Sequence, residues 1–151
     1  MLPLSKRPLT VLLAVALTGL AGCGASGEPT SSSSSGAPAF PATPLATVVT
    51  MSGQLHVEVR TIPQPPSRGL NTMELAVRDA SGAPSAGLTL SVVPWMTSMG
   101  HGASVTPTAT ETAPGTYVVT DVDFAMPGTW EMRTTISGPV TDYVAFPFQI
   151  P

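Results

Sequence analysis

From residue 48 onward, apolar and polar residues alternate with a period of two, in short runs closed off by glycine and proline, and no window sustains a helical period. Leu55, Val57 and Val59 alternate with Gln54, His56, Glu58 and Arg60, which predicts a strand with one wet face. Met73, Leu75 and Val77, set among Thr72, Glu74 and Arg78, predict a second. After a turn carrying Asp79, Gly82 and Pro84, the residues Leu88, Leu90 and Val92 predict a third strand that stops at Pro94. Residues 103–111 are rich in threonine and contain Pro107, so a strand there belongs at a sheet edge. Between Tyr117 and Phe124 the apolar residues fall on both parities, the mark of a central or bulged strand. Trp130, Met132, Thr134 and Ile136 oppose Glu131 and Arg133 in a sixth strand. Val144, Phe146, Phe148 and Ile150 form the last, with Pro147 marking another edge. The expectation is an all-β domain over residues 48–151, an immunoglobulin-like antiparallel sandwich of about seven strands.

The preceding residues read differently. Lys6 and Arg7 precede an apolar stretch from Leu9 to Leu20, interrupted by Thr10, Thr18 and Gly19. That stretch falls short of the ~20 residues a membrane-spanning helix needs but suits the apolar region of a secretory signal. Leu20-Ala21-Gly22-Cys23 then looks like a bacterial lipobox, which makes residues 1–22 a lipoprotein signal peptide and Cys23 the acylated first residue of the mature chain. Cys23 is the sole cysteine, and as an acylated residue it leaves no odd thiol in an exported protein. Several acyl chains at ~0.8 kcal/mol per buried methylene give durable attachment to the membrane. Gly24 after the cysteine points to the outer membrane in a two-membrane cell. Residues 23–47, with five consecutive serines at 31–35, bury too little to fold and are expected to form a disordered tether.

Composition narrows the function. Only 10% of residues are charged, against roughly 25% in an average soluble protein. Past the signal peptide, four arginines against nine acids leave a net charge of −5 and no lysine, which removes the electrostatic attraction that nucleic-acid binding depends on. Two histidines, no free mature cysteine and no Gly-x-Ser-x-Gly leave no nucleophile with a base, so an enzyme is not expected.

Strands that run alternately up and down place the loops at 63–69, 94–102 and 125–128 at one end of the sandwich. Met96, Met99, His101 and Met126 would then converge, a thioether and imidazole set that selects Cu(I), with Trp95 as a shield. The other reading of the same residues is a flexible plug for the end of the core. His56 sits on a wet strand face at the opposite end, and Asp121 and Asp123 form an acidic pair open to solvent or calcium.

Four motifs in order and spacing carry a resemblance: Asp79-x-x-Gly82-x-Pro84, the 94–102 stretch, Pro114-Gly115-x-Tyr117, and Phe124-x-Met126-Pro127-Gly128-x-Trp130-Glu131. Together they resemble the YtkA-like/FixH-like domain over residues 50–150, similar in architecture to CopC-like copper carriers. The resemblance implies an exported or membrane-anchored sandwich whose relatives occur beside copper-transport and cytochrome oxidase assembly proteins, which makes copper-handling or oxidase-assembly proteins the expected partners. It places the family's methionine and histidine loop on Met96, Met99 and His101, and its second motif on Met126 and Trp130. A lipid anchor stands where FixH-like proteins have a transmembrane helix. A non-catalytic interaction module of the cell envelope, free of metal, is the alternative function.

Overall fold

A computed structural model describes residues 38–151. The expected signal peptide, Cys23 and the tether as far as residue 37 lie outside the described residues. The described chain is all-β, with β1 (Ala46–Val49), β2 (Leu55–Ile62), β3 (Gly69–Asp79), β4 (Thr89–Met96), β5 (His101–Gly102), β6 (Thr108–Ala113), β7 (Thr116–Phe124), β8 (Gly128–Ser137) and β9 (Asp142–Ile150). They form two antiparallel sheets, ordered β1-β2-β3-β7-β6 and β5-β4-β8-β9. The period-two residues of both sheets meet in one core, where Val59, Met73, Val119, Val122, Phe124, Trp130 and Met132 are fully buried. Edge-to-face aromatic contacts join the sheets, with Phe124 of β7 at 5.5 Å from Trp130 and 6.1 Å from Phe148.

All seven expected strands form, and two more join them. Ala46–Val49 pairs with β2, Leu45 N–H donates to the Val59 carbonyl at 2.7 Å, and Leu45, Ala46 and Val48 pack on the core. The fold therefore begins before Val48, inside the segment expected to be tether. Four residues with alanine, threonine and valine supply enough apolar surface once an open β2 edge offers them a ladder.

The third strand does not stop at Pro94. It continues to Met96, because the Pro94 carbonyl faces away from β8 and accepts the Ala103 amide at 3.0 Å. The missing N–H of Pro94 falls on that same outer side, so the β4–β8 ladder loses nothing. Both parities of β7 are explained as well. It lies between β3 and β6, and its register against β3 shifts between Asn71 and Met73. Asp121 takes φ 61° in the resulting bulge, so that Val119 and Val122, three apart, both point inward.

At one end, Asp142 of β9 fastens the β1–β2 turn across the sandwich. Its carboxylate accepts the Ser52 amide at 3.2 Å, the Ser52 hydroxyl and the Tyr143 amide at 2.8 Å, while Met51 N–H donates to the Tyr143 carbonyl at 2.8 Å. Burial pushes this carboxyl up, but the bonds from Ser52 and Tyr143 outweigh it and hold its pKa at about 2 against an ordinary 3.8. A folded pKa below the unfolded one stabilises above pH 3.8 and loses that contribution as pH falls toward about 2. Thermal melts at pH 5 and pH 2.5 are expected to show a larger loss of Tm for the native chain than for Asp142→Asn. Equal losses in the two proteins would remove Asp142 as a cause.

Candidate functional site

The strand registers set which loops meet. Gly69 pairs with Phe124, Met96 with Trp130 and Gly128 with Ile150, so the loops at 63–68, 97–100 and 125–127 lie at one end of the sandwich. Met96, Met99, His101 and Met126 all belong to that end.

Three of these come from a single hairpin. Met96 and His101 are its closing pair, and the Met99 and Gly100 amides both donate to the Met96 carbonyl at 3.2 and 3.0 Å. Gly100 takes φ 68°, the left-handed conformation that lets the chain reverse in so few residues. The turn leaves Met99 59% exposed, and His101 beside it is also open to solvent. The His101 Nδ1 lies 3.0 Å from the Gly102 carbonyl. A carbonyl only accepts, so this bond uses Nδ1 as the donor, and in the neutral ring that leaves Nε2 as the nitrogen with the lone pair, the ring restraint found in metal-bound imidazoles.

Met96 and Met126 face the other way. Met96 is 6% exposed within the core, with its methyl group so close to Gly128 that a Cβ added there would lie 2.8 Å from it. Met126 is half-buried against the same core, and its carbonyl accepts the Trp130 Nε1–H at 3.0 Å. The four residues thus separate into a buried pair and an exposed pair at the same end. Trp130 acts from beneath, by fixing the backbone at Met126.

Trp95 does not shield this set. Adjacent strand residues point to opposite faces, so with Met96 inward Trp95 is on the outer face of its sheet. There the Arg133 guanidinium lies 4.6 Å from its ring centre, held by a 2.6 Å bond from Nε to Glu131. Among the described residues no three histidine, cysteine, aspartate or glutamate side chains are grouped to hold a metal ion, so Asp121 and Asp123 have no third side chain of these types beside them. Asp121 is instead bonded by the Thr120 hydroxyl at 2.9 Å.

The motifs away from the Met/His hairpin build a knot at the opposite end that sequence reasoning left without a role. The Asp79 carboxylate accepts the Ser81 amide at 2.8 Å, the Ser81 hydroxyl at 2.6 Å and the Ala83 amide at 3.0 Å, which closes the 79–84 turn. The Ser81 and Ala83 bonds keep that carboxyl below its ordinary range. Gly115, φ 69°, offers its carbonyl to the Val77 amide at 2.7 Å, and its own amide donates to Glu111 at 2.9 Å. Tyr117 donates from its hydroxyl to the Ser85 carbonyl at 3.0 Å and accepts the Leu88 amide at 2.9 Å, the role of a tyrosine corner. A Gly-x-Tyr spacing just after a turn was the signal available for this knot.

The family model described as YtkA-like matches residues 51–135, more than half of the chain and inclusive of both ends of the sandwich. No curated protein matches the chain. Among solved structures, a DUF4426 family protein from Pseudomonas aeruginosa PAO1 is similar at 12% identity, over 65% of this chain and 91% of that one, with a TM-score of 0.48. By the family match, and with every motif of the resemblance now placed in the sandwich, the chain belongs to the YtkA-like family.

Proposed function

We propose that this YtkA-like protein is an exported lipoprotein, anchored through Cys23, whose end hairpin binds Cu(I) for storage or handover. The observation that carries the reading is His101, exposed and restrained through Nδ1 so that Nε2 is free to ligate, two residues from the exposed thioether of Met99. Met96 and Met126 beneath them supply further soft donors, reached by a rotation of flexible side chains. A copper ion there would be held by thioether and imidazole, which need no deprotonated thiolate in an oxidising compartment. Copper-handling or oxidase-assembly proteins are the partners this role calls for.

The full-length protein, titrated with Cu(I) against a competing chelator, is expected to take up one equivalent. Met99→Ala combined with His101→Ala should weaken it by about 100-fold or more, with an unchanged melting temperature because both side chains are exposed. An affinity indifferent to the double substitution contradicts the reading. Anchoring is checked separately: Cys23→Ser should move the chain out of the membrane fraction, and retention there excludes the lipid anchor.

One observation favours a second reading. Met96 and Met126 pack into the end of the core as gap-fillers do, which suits a non-catalytic module that presents this end to an envelope partner without any metal. The titration separates the two, since this module takes up no Cu(I).

A further inference from the structure

All methionines but Met1 lie among the described residues, and burial divides them. Met73, Met96 and Met132 are enclosed in the core, and Met126 is half-buried against it. Met51, 81% exposed, and Met99, 59% exposed, stand open to solvent. These two occupy opposite ends of the sandwich. Met51 is in the β1–β2 turn, where its amide is tied to the Tyr143 carbonyl. Met99 is in the 97–100 turn, two residues before the exposed His101, and its amide bond to the Met96 carbonyl fixes the backbone that presents it. The hairpin thus carries one methionine open to a dissolved oxidant and one, Met96, closed to it.

A thioether is oxidised where an oxidant can reach it, and the product is a polar sulfoxide. With a hydroperoxide, the sulfur gives a lone pair to form an S–O bond while the peroxide O–O bond breaks and water or an alcohol leaves. Sulfur is oxidised by two electrons and the peroxide is reduced by two. The sulfoxide offers a hard oxygen in place of the soft sulfur, a poor match for Cu(I). At an exposed turn its polarity stays in water, whereas in the core it would be a buried polar group without a partner. Oxidation confined to Met99 therefore changes what the hairpin binds and leaves the sandwich folded.

We infer that Met99 is a redox modification site, at which a hydroperoxide converts the thioether to the sulfoxide and turns off copper binding by the hairpin without unfolding the domain. The site follows from the burial pattern of the methionines, and its consequence rests on the copper reading above. Met51 is the internal reference, being more exposed than Met99 and remote from the hairpin.

The test uses the full-length chain carrying Cys23→Ser, which removes the sole thiol as a competing ligand and oxidation target. The chain is treated with limiting hydrogen peroxide, mapped by peptide mass spectrometry, freed of peroxide and titrated with Cu(I) against a competing chelator. Sulfoxide is expected at Met51 and Met99 about tenfold or more faster than at Met73, Met96 and Met132, with an unchanged melting temperature. Affinity for Cu(I) should fall by about tenfold or more and return after repair by the two sulfoxide reductases, one for each epimer. Met51→Leu should lose as much affinity on oxidation as the parent chain, and Met99→Leu should start weaker and lose nothing further. Met99 left unmodified while Met51 is oxidised overturns the inference. So does undiminished affinity at a fully oxidised Met99 in a protein that Met99→Leu weakens, a result that leaves the copper reading standing. Equal affinities in the parent, oxidised and Met99→Leu chains remove Met99 from the copper site, and the switch with it.

Discussion

Replacing Trp130 with alanine is expected to lower the unfolding free energy by about 4 kcal/mol, the cost of emptying a large, wholly buried site that its surroundings refill only in part. The indole is 0% exposed and stands between Met96 and Phe148 on the neighbouring strands, edge-on to Phe124 of the facing sheet. Its Nε1–H is also the bond that holds the Met126 carbonyl, so the substitution loosens the 125–127 loop as well as the core. Trp130→Phe separates the two contributions, since it restores most of the packing and leaves the carbonyl without its donor. Urea unfolding measures both variants. A loss below about 1 kcal/mol for Trp130→Ala, the range of an ordinary surface change, is incompatible with the packing described.

Gly115→Ala is expected to cost about 3 kcal/mol or more, from two causes that act together. The backbone there has φ 69°, which a residue with a Cβ adopts only with strain. The added carbon would also lie 2.7 Å from the Val77 carbonyl, 2.8 Å from the Ser85 amide and 2.9 Å from the Pro84 side chain. Two of those three contacts are backbone atoms of the knot and cannot swing aside. Gly82→Ala is the matched control, because φ there is 87° but nothing lies within 4 Å of the added carbon. It should therefore show the backbone penalty without the clash. Urea midpoints that fall equally in the two variants would mean that the close approach contributes nothing.

Most of the fold was legible because burial imposes a period that a sequence displays. Every residue expected to face inward on the third, sixth and seventh expected strands is buried, from Leu88, Leu90 and Val92 to Phe148 and Ile150. What was not legible was pairing without a period. β1 has four residues, and β5 has two that exist as a strand only because Met96 and Trp95 present a ladder to them. Pro94 misled for a related reason: whether a proline ends a strand depends on which side its missing donor faces, and only the three-dimensional ladder decides that.

The end hairpin was legible as a place and less so as a site. Alternation of strands brought the three loops to one end, as the up-and-down reading requires. Side-chain direction is a finer matter. The closing pair of the hairpin put Met96 inward, which sent Trp95 outward to stack with Arg133, a consequence of strand parity that was available once the strand was known to pass Pro94. The motif Gly115-x-Tyr117 could be seen but not interpreted, since its partners Val77, Ser85 and Leu88 are distant in sequence.

X-ray absorption at the copper edge of the Cu(I)-loaded full-length protein tests the proposed role of the hairpin most directly. Sulfur and nitrogen scatterers are expected around the metal, the nitrogen lost in His101→Ala and sulfur reduced in Met99→Ala. Retention of no copper, or a shell unaltered by either substitution, would contradict the proposal that this end of the sandwich is a copper site.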